Sequence, residues 1–332
     1  MNIFITGIAG FLGSHLADHF INLGHTVKGN DNLIGGYKSN IPAKAEYFNI
    51  DCCNLDDMTD AMTDVDVVIH TAATAYEGLS VFSPHLVTKN IFEASVTTFT
   101  AAIKNNVKRI VFCSSMARYG NQKAPFVETM PTKPCDPYGI AKVAAEDVLK
   151  NLCDVHDTEW NIVVPHNIIG PRQKYDDPYR NVVSIMINRN LQNKPAIIYG
   201  DGNQVRCFSY VDDCISCIEK TVNKEICYET INIGPDENPV SINDLANMIK
   251  NATGFNGDAI HYEDRPQEVK VATCSSAKAR ELLGYETKTD LYTGINKTVD
   301  YIKSNGVKEF NYSFGLEIVN KKTPSTWKNK II

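Results

Sequence analysis

Tyr138 and Lys142 stand four residues apart at the start of a helix-forming stretch that follows Pro137, so one helix face presents both side chains to a common ligand. A phenol with an ordinary pKa of about 10 is a poor base at neutral pH. A nearby ammonium and a cationic ligand favour its phenolate, and the pair then offers a general base for an alcohol or a sugar hydroxyl. Ser115, at the end of the apolar run 109–113, can hold the reacting oxygen. Alone, a Tyr and a Lys at this spacing read equally as an exposed helix pair. A second constellation gives them meaning.

That constellation is the first thirty-one residues. The short apolar strand Ile3, Phe4, Ile5 runs into Gly7, Gly10 and Gly13, followed by a helical pattern over 12–23. Gly7 permits a tight turn, Gly10 lets backbone approach a pyrophosphate, and Gly13 lets the helix pack closely on its sheet. The helix N-terminus points its amides and dipole at the phosphates. A second strand signal over 26–29 ends near Asp31, whose carboxylate can take both ribose hydroxyls of an adenosine. That contact favours NAD over NADP, whose 2′-phosphate it repels, and Lys142 can then bond the nicotinamide ribose. Three glycines at this spacing also occur in ordinary loops. The order strand, turn, helix, strand, acid is what points to a dinucleotide.

The elements that position these residues follow from periodicity. Strands are expected over 47–50, 65–70, 109–113 and 162–165, and helices over 55–62, 86–105 and 138–152. Alternating strands and helices are the signature of an α/β fold with a doubly wound parallel sheet. Asp51 follows the third strand, where it either accepts from an adenine amino group or caps the helix 55–62. The fourth strand ends in Thr71, Ala72, Ala73 and Thr74, small residues against which a cofactor can lie. Beyond Asn167 the alternation loosens: a helix over 182–190, a strand over 196–199, a turn at 200–202, the apolar run 208–222, a strand over 230–233, and helices over 242–253 and 276–283 build a smaller lobe.

With 332 residues, 43% hydrophobic and 22% charged, the chain has globular composition and room for one large or two closely joined lobes. No apolar run reaches membrane-spanning length, and the start lacks a basic leader or cleavage site, so a cytoplasmic location is the default expectation. A net charge of −6 argues against a nucleic-acid surface. The tail lysines Lys321, Lys322, Lys328 and Lys330 read as a solvated C-terminal segment in preference to a basic patch. Of ten cysteines only Cys214 and Cys217 form a C-x-x-C; lacking a second pair, they read as small core residues on a helix, and no metal site is expected.

Gly7, Gly10, Phe11 and Gly13, with Ser115 and the run Tyr138-Gly-Ile-Ala-Lys142, resemble the extended short-chain dehydrogenase/reductase family, in particular its nucleotide-sugar epimerases and dehydratases. The resemblance covers roughly residues 1 to 310. It continues through Asp51, His70 to Ala73, Asn90, Asn167 to Arg172, Tyr199 to Gly202 with Arg206, Val211 and Asp212, and Arg265-Pro266.

It implies a Rossmann domain over 1–166 and about 207–234 that binds NAD. A smaller mixed α/β lobe over 167–206 and 235–310 would bind the nucleotide sugar, with a tail over 311–332. The cofactor residues it implies are Gly7, Gly10, Phe11, Leu12, Gly13, Asp31, Asn32, Asp51, Cys52, Thr71, Ala72, Ala73, Asn90, Tyr138, Lys142 and Pro165. Those for substrate are Ser115, Met116, Asn167, Arg206 and Arg265, the arginines neutralising diphosphate unless they are surface ion pairs. It further implies a homodimer through the helices over 86–105 and 138–152, and a UDP-sugar as the substrate.

Dehydratases of this family carry an Asp-Glu pair after the catalytic hydroxyl, where this chain has Met116 and Ala117. The resemblance therefore favours C4 epimerisation, through a transient 4-ketone, over dehydration or reduction; a cofactor-binding sensor without turnover is the non-enzymatic alternative. Arg118 departs from the family pattern, and either pairs with a carboxylated sugar or makes an outward-facing salt bridge. His166 reads as a core histidine. Ala272 stands where small size leaves room for an N-acetyl group.

Overall fold

The computed structural model describes residues 1–332 apart from 224 and 313. Its centre is a seven-stranded sheet of β1 (Asn2–Thr6), β2 (Thr26–Asn30), β3 (Glu46–Phe48), β4 (Val67–His70), β5 (Arg109–Cys113), β6 (Glu159–Pro165) and a late strand, Glu229–Ile233. From that late strand the order runs β6, β5, β4, β1, β2, β3, with every pairing parallel. Side chains alternate across the sheet as a doubly covered strand demands. Ile3 and Ile5 join the core on one face, while Phe4 joins the core on the other with Val68 and Phe112.

The helices α1 (Phe11–Asn22), α2 (Leu55–Ala61), α3 (Glu77–Ser80), α4 (Pro84–Thr88), α5 (Ala94–Lys104) and α6 (Pro137–Val155) follow the strands in turn. Strand order reverses between β1 and β4, the switch point where open α/β sheets bind ligands beyond their strand ends. Gly7, Thr71, Ala72 and Ala73 meet there.

The second lobe is built from short pieces. β7 (Ile168–Ile169) pairs with β10 (Ser209–Tyr210), β8 (Ile197–Tyr199) with β13 (Ile260–Tyr262), and β9 (Val205–Arg206) with both β12 (Val240–Ser241) and β14 (Val271–Ala272); the late sheet strand is β11. Its helices α7 (Val182–Leu191), α9 (Ile242–Thr253) and α11 (Leu291–Asn305) share one apolar core around Ile187, Leu245, Ile295 and Val299. α8 (Val211–Lys220) and α10 (Ala277–Leu283) return to cover the main sheet.

Three expectations change here. The helix expected over 86–105 is present but not uniform: α4 runs into α5 through a wide π-type turn, Lys89–Glu93, and Asn90 in that turn lies on the cleft wall. The apolar run 208–222 divides into β10 and α8, because Ser209 and Tyr210 pair with Ile168 and Ile169 before the helix starts. Helix α11 was not expected; Asp290 caps it by accepting from the Thr293 N–H at 2.9 Å.

The solvated tail is also corrected. The tail lysines are exposed, yet the segment around them is docked. Glu317 accepts from the His85 and Leu86 N–H groups, each at 2.9 Å, and so caps α4. Glu263 accepts from the Ser325 N–H at 2.7 Å. Trp327, in α12 (Ser325–Lys328), is 2% exposed and sits edge-on to Phe82 and Tyr179. Apolar burial and backbone donors outweigh the solvation of a few lysines, whose heads stay in water.

Candidate active site

A cleft of about 510 Å³ opens at the switch point between the sheet edge and the second lobe. On the sheet side its wall begins with Gly7, whose φ of +71° is left-handed backbone that glycine adopts without strain. A Cβ on Gly10 would lie 2.9 Å from the Gly7 carbonyl oxygen. α1 starts at Gly10 with no side-chain cap and no acid in its first turn, unlike α2, α6, α7, α9 and α11, which are capped by their own side chains. Its leading N–H groups therefore face the cleft undisputed, as an anion cradle requires. A dinucleotide fits this wall.

Asp31 is buried at the end of β2, where the Ala9 and Leu33 N–H groups donate to its carboxylate at 3.0 and 2.7 Å. Burial raises its pKa and those N–H groups pull it back. Asn32 donates to Asp51 at 2.9 Å, and the Cys53 N–H donates to Asp51 at 2.8 Å. Burial pulls that carboxyl upward, but the donors win and hold it below the usual range. The cap of α2 is Asn54 and not Asp51. Phe11, Leu12, Gly13, Cys52, Asn90 and Pro165 line the same cleft.

On the floor, Asp136 caps α6 by accepting from the Gly139 N–H at 2.8 Å, which fixes Tyr138 in the first turn. Tyr138 is 7% exposed, and the Ser115 hydroxyl faces its phenol. Lys142, one turn on, donates to the Cys113 carbonyl at 2.7 Å, with its ammonium 4.7 Å from the Phe112 ring centre. Burial pushes Tyr138 up to about 12, with Glu77 and Asp136 adding to the shift, and brings Lys142 down to about 8. Without a ligand the ammonium alone does not offset the burial of the phenol. Burial outweighs an ammonium turned toward a backbone carbonyl, and lowering the phenol falls to a cationic ligand.

The second lobe supplies the opposite wall. Arg206 and Arg265 both reach it, bridged by one carboxylate: Glu268 lies 3.1 Å from Arg206 and 2.5 Å from Arg265. They are ion-paired, as the alternative reading had it, but across the cleft wall and not on the outer surface. The Arg265 guanidinium carbon lies 4.7 Å from the Tyr199 ring centre, and the Tyr199 hydroxyl meets Thr326 of the tail at 2.7 Å. Asn167, at a left-handed φ of +31°, donates to the Cys207 carbonyl at 2.8 Å. A side cavity of about 70 Å³ is lined by Ser115, Met116, Ala117, Asn167, Arg206 and Ala272, and by Glu77 and Asp136. Every site residue expected from the sequence therefore lies on one of two adjoining cavities.

Arg118 does not. It is 4% exposed and forks onto Glu146, itself 1% exposed, at 2.8 and 3.0 Å. Its remaining nitrogen donates to the Tyr119 hydroxyl at 3.0 Å. Ser114 also donates to Glu146. Both earlier readings fail, because the guanidinium is turned inward and fully committed to Glu146 and the Tyr119 hydroxyl. His166 is a fully buried core histidine, held neutral by burial that takes its pKa to about 4. Cys214 and Cys217 are buried apolar contacts on α8.

Among the cleft residues that escaped sequence reasoning are Glu77, Arg180, Glu268 and Trp327. Arg180 spans the cleft, donating to the Gly35 carbonyl at 2.8 Å and the Ala73 carbonyl at 3.0 Å. Only the charged pattern Arg265-Pro-Gln-Glu268 carried a usable signal. The others sit in a single-turn helix, a loop or the tail, where periodicity says nothing.

A doubly wound sheet with a glycine cradle, and a buried tyrosine one helical turn from a lysine, defines a dinucleotide-dependent enzyme. The model of the NAD dependent epimerase/dehydratase family matches residues 3–234, and the chain belongs to that family, with NAD as its cofactor. It is 36% identical over 308 residues to a Methanocaldococcus jannaschii protein provisionally named a UDP-glucose 4-epimerase, over 91% of this chain and 99% of that one. Its fold matches the UDP-glucose 4-epimerase of Thermotoga maritima, solved with UDP-glucose, at TM-score 0.86 and 31% identity, covering 92% of this chain and 99% of that one. It also matches the UDP-glucuronic acid 4-epimerase of Bacillus cereus, solved with UDP-glucuronic acid and NAD, at TM-score 0.84 and 28% identity, over 92% and 100%. No helix among the described residues is long and apolar enough to cross a membrane.

Proposed function

We propose that this chain interconverts the C4 epimers of a UDP-hexose, with the sugar neutral or N-acetylated. The observation that carries the reading is the meeting of Ser115, Tyr138 and Lys142 at the junction of the two cavities, beside Met116 and Ala117, which bear no proton-carrying group. NAD, when bound, supplies a reversible acceptor for the C4 hydride. Tyr138 takes the O4 proton and returns it, Ser115 holds O4 in place, and Lys142 fixes the ribose and the local charge. Arg206 and Arg265 exchange Glu268 for the substrate diphosphate.

A uronate fits less well than a neutral sugar. Glu77 and Asp136 already line the side cavity, and Arg118 is locked onto Glu146. Ala272, small and on the same wall, leaves room for a C2 substituent.

In this reading the sheet domain, 1–166 with about 207–234, holds NAD. The lobe over 167–206 and 235–310 holds the nucleotide sugar, and the tail joins that lobe. A second copy of the chain would cover Ile140 on α6, 53% exposed, and Phe92 in the wide turn, 37% exposed, as a homodimer. The cytoplasm, where thiols stay reduced, suits the buried cysteines.

Incubating the protein with UDP-glucose and with UDP-N-acetylglucosamine tests the reading. The expected result is equilibration with the C4 epimer and no net NADH. Accumulating NADH, or a stable keto product, counts against it.

A further inference from the structure

Four cationic side chains line the main cleft. Arg206 and Arg265 share Glu268, and Lys142 stands one helical turn from Tyr138 on the Cys113 carbonyl. Arg180 is the fourth, and nothing above gives it a task. It comes from the second lobe, immediately before α7, and its backbone is fixed on both sides. Asp177 accepts from the Tyr179 N–H at 3.0 Å, and Asn181 caps α7 by accepting from the Val183 N–H at 3.1 Å. The guanidinium carbon lies 5.3 Å from the centre of the Tyr76 ring, which is itself anchored by its hydroxyl on Asp177 at 2.5 Å.

What the arm reaches is the glycine turn. β2 and β4 flank β1, and the two carbonyls that Arg180 holds, Gly35 at 2.8 Å and Ala73 at 3.0 Å, follow β2 and β4. Their neighbours touch the turn itself: a Cβ on Gly36 would lie 2.7 Å from the Gly10 nitrogen, and one on Gly7 would lie 3.0 Å from the Ala72 Cα. The guanidinium therefore straddles the mouth of the cradle that the α1 amides face. Both of its partners are neutral. Among the described residues no carboxylate pairs with it, and its buried Nε has no hydrogen-bond partner. Burial raises the Asp31 carboxyl and the Tyr138 phenol, at the two ends of this wall, and the Arg180 charge pulls both down. A cation set on neutral carbonyls, with donors to spare above bare helix amides, is the missing side of an anion site.

We propose that Arg180 is a latch for NAD: reaching over from the second lobe, it gives its spare N–H groups to the cofactor's pyrophosphate and so ties that lobe to the bound dinucleotide. A planar fork suits the task, because it can keep its carbonyls and still offer N–H groups to a phosphate oxygen. The position selects the cofactor over the substrate diphosphate, since the glycine turn lies beneath Arg180 while Arg206 and Arg265 stand on the other wall. NAD then leaves only when the second lobe draws back. The proposal needs NAD as the cofactor but not the identity of the sugar.

Exchange of bound NAD against isotopically labelled NAD, followed on the holoenzyme by mass spectrometry, tests this. In Arg180→Met the release rate should rise at least about tenfold, while UDP binding measured by calorimetry stays at the parent value and confirms that the variant folds. Arg180→Lys keeps the charge without the fork and should recover most of the retention. Added salt should speed release from the parent more than from Arg180→Met, because only the parent has that charge to screen. Release from Arg180→Met at the parent rate overturns the proposal. Arg180→Lys releasing NAD as fast as Arg180→Met also overturns it, since the guanidinium is then only a brace between two carbonyls. Loss of UDP affinity in Arg180→Met overturns it in favour of the substrate diphosphate. The epimerase reading stands or falls separately, on equilibration of the sugar.

Discussion

The two walls of the cleft are made differently. On the sheet side, polar groups are satisfied by backbone: Asp31 by two N–H groups, Lys142 by a carbonyl, with the α1 amides presented by a glycine turn. On the lobe side, charged side chains grip one another through Glu268, and the last turn of helix comes from the tail. A wall built from backbone is rigid and shaped in advance for one ligand. A wall built from exchangeable ion pairs and a docked strap can rearrange around a ligand that must bind, turn over and leave.

Substitutions can break this contrast, beginning with the largest effect. Tyr138→Phe should lower kcat by about 10³-fold while NAD stays bound, because a general base is lost and no wall is altered. A comparable loss of kcat in Ser115→Ala would move the assignment of the base.

Beneath the rigid wall, Glu146→Gln leaves the buried Arg118 charge without its counterion and should cost about 3–5 kcal/mol of stability in urea unfolding. Replacing both, Arg118→Met with Glu146→Leu, should recover most of that loss. If the double variant is as unstable as the single one, the pair matters through more than charge.

Gly10→Val puts a side chain against the Gly7 carbonyl and should weaken NAD binding about 100-fold, or about 2.7 kcal/mol, measured by calorimetry. Tight binding in that variant would show that the sheet-side wall yields, contrary to its construction. Trp327→Ala loosens the strap on the other wall, and should raise KM for the nucleotide sugar about tenfold with kcat and NAD binding little changed. An equal loss of NAD affinity would join the two walls into one unit.

The smallest effect concerns pH. Burial lowers the Lys142 pKa, so its ammonium is present at pH 7 and lost as pH rises through about 8. Binding of NAD to the free protein should weaken across that midpoint, and Lys142→Met should abolish the dependence.

How legible each wall was in the sequence follows its construction. The sheet side could be read almost residue by residue, from Gly7 to Asp31 and from Ser115 to Lys142, because its parts lie within single strand–turn–helix units of short range. The wide turn inside the helix expected over 86–105 was invisible, since a π-type turn keeps helical composition while shifting which face points inward. Arg118 misled because a charge one residue before Tyr119 looks like surface, and its counterion Glu146 is twenty-eight positions away. Glu77 and Arg180 lie in connections without periodicity, and the tail looked solvated because its lysines are.

The sequence by itself determined the fold class, the dinucleotide cradle and the tyrosine–lysine pair, because local spacing sets which side chains share a turn or a helix face. Only the tertiary structure decided which charges are spent on each other and which remain for a ligand. Burial and partner distance between remote segments set that division: Arg118 was committed to Glu146, and Arg206 and Arg265 were gathered on Glu268 at the cleft wall.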